Sequence, residues 1–185
     1  MEEKGDEYYI EKVLDGDSGA FSFLVDRYKN LAYTLAYRMA GNREDAEEIS
    51  QDAFVKVYRS LKSFRGKAKF STWLYRIIYN TAITRLRVKN RYVPTEDVAV
   101  LKKNEPDMYD GVADSEKEQR MRALESALDK LPHDEKFILQ LYYYQETKVK
   151  ELATATGLSE ANVKVKLYRA RKKLRESVPL IMKRN

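Results

Sequence analysis

The stretch from Val149 to Leu174 reads VKELATATGLSEANVKVKLYRARKKL. Leu152 and Ala153 precede Gly157, the residue type most free to take the positive backbone angle of a tight turn. Leu158 follows, then Ser159 in position to cap a new helix, then Val163, Leu167 and Leu174 on one helical face. A small residue four places before the turn glycine lets two helices cross closely, so the pattern is a helix-turn-helix. Its second helix presents Asn162, Lys164, Val165, Tyr168 and Arg169 near the N-terminal end of its exposed face, the part that enters a major groove in such motifs. Arg171, Lys172, Lys173 and Arg175 stand behind them for phosphates. A helical hairpin with a merely basic exterior would show the same charges, but turn, cap and cationic second helix coincide here, and DNA is the partner they fit.

Upstream of this motif, periodicity marks further helices. Phe21, Leu24, Val25, Tyr28, Leu31, Ala32, Leu35, Ala36 and Met39 recur in steps of three and four, which predicts a helix with one buried face. Gly41 fits its end, and Asn42 caps a second helix whose Glu44, Asp45, Glu47 and Glu48 suit the positive end of the helix dipole. That helix buries Ala46, Ile49, Ala53, Phe54, Val57 and Leu61. The segment Phe64 to Lys69 breaks the period and reads as a loop, after which Ser71 caps a third long helix running to about Arg91. Between Val93 and Ser115 the period is lost among Pro94, Pro106, Gly111 and several acids, as in an interdomain linker. It returns at Met121, Leu124, Ala127, Leu128 and Leu131, halts at Pro132, and resumes through Phe137, Ile138 and Leu141. The expected fold is all-α: two small helical domains joined by a flexible linker, the C-terminal one of about four helices carrying the helix-turn-helix, each with its own core.

Composition narrows the chemistry. The 185 residues include no cysteine, which excludes a disulfide, a thiolate metal site and a cysteine nucleophile, and suits a reducing cytoplasm. The acidic N-terminus and the lack of any run of about 18 apolar residues argue against a signal peptide and a membrane span, so a cytoplasmic location is expected. His133, the single histidine, follows a Leu-Pro pair and reads as a helix-start or turn residue. No clustered carboxylates with histidine or metal-ligand spacing point to catalysis, a metal, a cofactor or a small-molecule substrate. The net charge of +6 is unevenly spread, with basic segments at Arg85 to Arg91 and Lys164 to Arg184, and acidic ones at the N-terminus and from Thr95 to Glu118. Two basic surfaces suggest two contacts with a polyanion, although solvated helix faces look the same.

The first domain offers two more surfaces. Opposite its apolar stripe, the second helix shows Asp45, Glu48, Gln51, Asp52 and Val55, a largely acidic strip with an apolar edge, which is either a docking surface for a basic protein or a solvated helix face. The loop and third helix combine Phe64, Phe70, Trp73, Tyr75 and Tyr79 with Arg65, Lys67, Lys69, Arg76, Arg85 and Arg87. Rings interleaved with cations suit single-stranded nucleic acid, since rings stack on unpaired bases while cations track the backbone. Core packing competes for the same rings, and for Phe70 and Trp73 the two roles are evenly balanced.

Four segments in order, Asp45-Ala46-Glu47-Glu48-Ile49-Ser50-Gln51-Asp52-Ala53-Phe54, Phe70-Ser71-Thr72-Trp73-Leu74-Tyr75-Arg76-Ile77, Leu131-Pro132 and Leu167-Tyr168-Arg169-Ala170-Arg171-Lys172-Lys173-Leu174, resemble the hallmarks of the extracytoplasmic-function (ECF) subfamily of sigma-70 RNA polymerase sigma factors. The resemblance runs from about Tyr9 to Val178. It implies an N-terminal domain at 5–92, a linker at 93–118 and a C-terminal domain at 119–180. It also implies a non-catalytic specificity subunit that binds core RNA polymerase, recognises promoter DNA as duplex and as single strand, and is restrained by an anti-sigma factor.

On that resemblance Asp45, Glu48, Gln51, Asp52 and Val55 are polymerase-contact candidates. Phe64, Arg65, Lys67, Lys69 and Phe70 match a loop that captures a flipped base of the minus-ten element, with Trp73, Arg76, Asn80 and Arg87 on the adjoining helix, and Thr84 beside them. Ser159, Asn162, Lys164, Val165, Tyr168, Arg169 and Lys172 match the reader of the minus-thirty-five element. The linker would pass through polymerase toward the active-site cleft. Thr84 stands where the family usually has aspartate, Glu146 where glycine is common, Asn162 where threonine is common, and Val165 where serine or threonine is common, so base preference does not transfer. A conventional helix-turn-helix regulator has no need of the aromatic-basic segment Phe64 to Arg91, and a small nucleic-acid hydrolase would need acids and ligands that are not there.

Overall fold

The computed structural model describes residues 4–92 and 124–177, and these form helices without strands. In chain order they are α1 (Asp6–Leu14), α2 (Phe21–Ala40), α3 (Arg43–Ser60), α4 (Phe70–Tyr92), α5 (124–129), α6 (His133–Tyr144), α7 (Val149–Thr156) and α8 (Glu160–Ser177). Single 3-10 turns lie at Ser18–Ala20 and Leu61–Ser63. The segment expected to be a linker, 93–118, lies outside the described residues.

The apolar periods predict these helices because each becomes a buried stripe. On α2 the stripe is Leu24, Ala32, Leu35, Ala36 and Met39; on α3 it is Ala46, Ile49, Ala53, Phe54 and Val57. Gly41 ends α2 at φ 77°, its N–H donating to the Tyr37 carbonyl at 2.8 Å, and Asn42 caps α3 by accepting the Asp45 N–H at 2.9 Å. α4 starts one residue before the expected cap, with Phe70 inside the helix and the Trp73 N–H already bonded to the Lys69 carbonyl at 3.2 Å. Burial of the Phe70 ring pulls the helix start upstream of Ser71.

α1 is a helix that the apolar period does not announce, since Ile10 is its only buried residue. It is tied down by polar contacts. Asp6 accepts from Arg27 and from the Tyr28 hydroxyl, both at 2.6 Å, and burial together with that carboxylate pushes the Tyr28 phenol well above its ordinary value.

The expectation of two separate cores is not met. One continuous cluster joins Leu35, Met39, Leu74 and Ile78 of the first four helices to Phe137, Ile138, Leu141, Leu152 and Ala155 of α6 and α7. α7 packs along α4 and α6 against α2. The Tyr79 ring lies 5.0 Å from that of Phe137, Lys69 faces Glu151 at 3.6 Å, and His133 hydrogen-bonds the Met39 backbone. Burial at this seam lowers the affinity of both His133 and Lys136 for their protons. A smaller cluster of Leu131, Leu139 and Ala170, with Leu128 and Leu174 against it, belongs to the second half alone.

Candidate functional site

Three outward faces carry the candidate residues. On α3, Glu48, Gln51, Asp52 and Val55 are exposed, Val55 at 46%, and Tyr58 extends the apolar edge. Asp45 is not part of this face, contrary to expectation. It is 6% exposed and turned toward α4, where its carboxylate accepts from Lys89 at 2.5 Å, Arg85 at 3.1 Å and the Asn42 amide at 2.7 Å. Burial alone would raise its pKa, but these donors outweigh it and hold the carboxyl at about 2. Arg85 also pairs with Glu48. The counter-charges of the strip, Arg85 and Lys89, were not associated with it on sequence because they lie some forty residues downstream; their i,i+4 spacing on one helix is the signal available.

The second face is the loop before α4 and the outer side of α4. Phe70 is 1% exposed, which assigns its ring to the core. Phe64 and Trp73 are half-buried over it, with ring centres 5.2 Å apart and 5.8 and 5.9 Å from Phe70. Gly66 takes φ 66°, and Arg65, Lys67 and Lys69 around it are exposed. Arg76, Asn80, Thr84 and Arg87 are all exposed and spaced by four, four and three residues, so they form one stripe along α4. The Thr84 hydroxyl donates to the Asn80 carbonyl at 2.8 Å. The aromatic pair Phe64–Trp73 and the cations of the loop therefore sit beside a polar helical stripe.

The third face belongs to α8. Gly157 turns the chain at φ 75°, and Ser159 accepts the Asn162 N–H at 3.2 Å. Val163, Leu167 and Ala170 are buried, which forces Asn162, Lys164, Val165, Tyr168, Arg169 and Lys172 outward, Tyr168 to 67% exposure and Val165 to 44%. Not every cation behind them points away. Lys166 pairs with Asp134, Lys173 with Glu135 at 2.9 Å, and the Arg171 Nε donates to the Tyr143 hydroxyl at 2.8 Å. Arg171 and Lys173, expected behind the reading face for phosphates, are instead directed to α6. Glu146, in the turn before α7, holds φ 48°, the left-handed region that glycine favours. Among the described residues no three His, Asp or Glu side chains gather as metal ligands, and no helix is long and apolar enough to cross a membrane.

Residues 24–92 match the family model of Sigma-70 region 2 and residues 121–174 that of Sigma-70, region 4. Over 176 residues the chain is 34% identical to the ECF RNA polymerase sigma factor SigW of Bacillus subtilis (strain 168), covering 91% of this chain and 94% of that one. The chain belongs to the ECF family of RNA polymerase sigma factors. This sigma factor is also 31% identical over 188 residues to the ECF RNA polymerase sigma-E factor of Haemophilus influenzae, with 98% of this chain and 99% of the relative covered. In fold it is similar to the sigma factor RpoE of Bartonella quintana, solved with the anti-sigma factor NepR, at a TM-score of 0.71 and 20% identity over 87% of this chain and 98% of that one. It is an alternative sigma factor for transcription initiation. The regions fall on the three faces: region 2 holds the α3 strip and the α4 stripe, and region 4 holds α8.

Proposed function

We propose that the three faces divide the work of this sigma factor: α3 docks on core RNA polymerase, the Phe64 to Phe70 loop with α4 engages the unpaired minus-ten strand, and α8 reads the minus-thirty-five duplex. The observation that carries the reading is that a buried stripe on each of α3, α4 and α8 sets the opposite face outward, where its exposed residues are within reach of a partner. Glu48, Gln51 and Asp52 offer charge and Val55 an apolar anchor to a basic surface. Asp45 takes part indirectly, by fixing α3 to α4. Phe64 and Trp73 are half-buried and supply ring edges for an extruded base, while Arg65, Lys67 and Lys69 track the backbone. Phe70 supports these rings from below. Arg76, Asn80 and Arg87 continue the strand path along α4. On α8, Arg169 and Lys164 suit guanine edges and phosphates, Val165 and Tyr168 suit a thymine methyl and the sugar edge, and Asn162 and Lys172 flank them.

The chain works by binding and strand opening, with no covalent step of its own, and operates in the cytoplasm beside core enzyme. An anti-sigma factor is the partner that restrains it, as the Bartonella relative's complex with NepR illustrates for that protein. Reconstitution tests the division of work. Core polymerase with this chain should give run-off transcripts from a subset of genomic fragments, and Glu48→Lys with Asp52→Lys should lower core binding in a pull-down without loss of helicity. Unchanged core affinity of that double variant would overturn the assignment of α3.

A further inference from the structure

Behind α8 lies a groove that none of the three outward faces uses. It has a volume of about 410 Å³ and is bounded by residues of α2, α5, α6 and α8. Leu124, Leu128, Leu139 and Leu174 form its floor, which is continuous with the smaller apolar cluster of the second half. Tyr143 and Tyr144 extend the apolar wall and are 52% and 66% exposed. A volume of this size lies within the range that holds small molecules, roughly 300–1,000 Å³. One turn of α-helix, about 10 Å across and 5.4 Å long, would fill about 420 Å³ by itself, so the space suits a single flexible chain better than a docked helix.

The rim sets the charge of what would fit. Arg38, Lys136 and Arg171 stand around the groove against the single carboxylate of Asp129. Asp129 is 76% exposed and reaches Lys136 only at 3.5 Å, while the Lys136 side chain is 10% exposed. Burial is the main cause that lowers the affinity of Lys136 for its proton, and Arg38 lowers it further from α2, against the pull of Asp129. Arg38 is half-buried and, among the described residues, has no hydrogen bond or ion pair. Arg171 turns to the Tyr143 hydroxyl and lies over the rings of Tyr142 and Tyr143, again without a carboxylate. Two cations on different helices thus repel each other at the edge of an apolar floor. An anion between them removes that repulsion, and a carboxylate matches the guanidinium fork.

We propose that this groove is a binding site for a free fatty acid, whose carboxylate lies between Arg38 and Lys136 and whose alkyl chain runs over Leu128, Leu139 and Leu174. The cations select the head and the leucines select the chain. A small anion would leave the floor uncovered, and a neutral lipid would leave the two cations facing each other. Arg38, Lys136 and Gln140 lie outside all three outward faces, so ligand binding is read apart from the polymerase and promoter assignments.

Isothermal titration of the full chain with dodecanoate, kept below its micelle threshold, tests the site. Dodecanoate should bind at a single site, whereas acetate and dodecyltrimethylammonium should not bind and dodecanol should bind about tenfold or more weakly. Decanoate should bind about fivefold or more tightly than octanoate, because each methylene buried is worth about fourfold. Arg38→Gln with Lys136→Gln should weaken dodecanoate binding about tenfold or more, while Arg59→Gln with Lys62→Gln, exposed and away from the groove, removes the same charge and should change it by no more than about twofold. Gln140→Glu is nearly isosteric, sets a carboxylate one turn from Lys136 and should also weaken binding; it carries the test if circular dichroism shows the double groove variant unfolded. Equal losses in the two double variants, or no loss in either groove variant, overturn the proposal and leave only attraction to a basic protein. Failure of the wild type to bind dodecanoate overturns it too. In that event, binding of phosphatidylglycerol vesicles, binding of an acidic amphipathic peptide helix, or dodecanoate binding gained on removal of residues 178–185 would assign the groove to a membrane surface, a protein partner or the chain's own end.

Discussion

Asp45 and its neighbours Glu48 and Asp52 look alike in sequence, yet the first is buried against α4 and the other two are exposed, and Asp45→Asn separates them. The Asp45 carboxylate takes three donors at 2.5–3.1 Å from Lys89, Asn42 and Arg85, and its carboxyl is held at about 2 against an ordinary 3.8. At about 1.4 kcal/mol per pH unit, that difference contributes about 2 kcal/mol to stability at neutral pH. Asparagine keeps the shape and one acceptor but removes the charge, so urea unfolding at pH 7 should show a loss of about 2 kcal/mol. Because the folded value lies below the unfolded one, the contribution is complete above about pH 4.5 and fades as pH falls toward 2. About half of it remains at pH 3. The gap between wild type and Asp45→Asn should therefore narrow from pH 7 to pH 3, while Asp52→Asn, on the exposed side of α3, stays within about 0.5 kcal/mol of wild type throughout. A gap below about 0.5 kcal/mol at pH 7, or one that holds constant down to pH 3, would refute the reasoning.

Other substitutions probe other parts. Glu146→Gly relieves the left-handed backbone at φ 48°; strain relief of about 1–2 kcal/mol against about 0.5–1 kcal/mol of added chain entropy predicts a net gain of about 0.5–1 kcal/mol in thermal or urea melts. Phe70→Ala, at a ring 1% exposed, should cost about 3–5 kcal/mol of stability, whereas a ring used chiefly for base stacking would cost activity with little loss of stability. Arg169→Ala should weaken minus-thirty-five duplex binding by about 1–3 kcal/mol in a gel shift, and Arg65→Ala with Lys67→Ala should spare it but reduce permanganate reactivity at the melted thymines. On a premelted bubble the loop variant should recover and Arg169→Ala should not; the reverse pattern would exchange the roles of the two faces.

The helices legible in the sequence are those whose apolar residues repeat on one face or whose ends carry a cap, a glycine or a proline: α2, α3, α4, α6 and the α7–α8 pair. α1 was not legible, because a helix anchored by one buried isoleucine and by Asp6 reaching Arg27 and Tyr28 leaves no periodic trace. The outward face of α8 followed from the burial of Val163 and Leu167, which local spacing predicts. Local spacing also placed Asp45 in the outward acidic strip. Its inward turn depends on Lys89 and Arg85, and no rule of helical period contains a partner on another helix. Spacing alone could not separate Phe70 from Trp73, since what lies beneath a ring is a tertiary fact: Tyr28 and Phe64 pack against the buried Phe70, while Trp73 stays half-buried at the rim. The shared core was hidden for a related reason, as Phe137 and Leu141 show the same period whichever half they pack against.

The ion pairs that tie α8 to α6 alter how this protein should respond to salt. Counting the cations of α8 as free charges would predict a steep fall of promoter affinity with ionic strength, since each phosphate neutralised releases a condensed counterion and steepens the log–log slope by about 0.9. Lys166 and Lys173 are already neutralised by Asp134 and Glu135. To reach a phosphate either lysine must first leave a carboxylate of its own chain. Region 4 should therefore bind its duplex with a slope shallower by nearly 2 than its charge suggests. Replacing Asp134 and Glu135 by their amides should restore the steeper dependence.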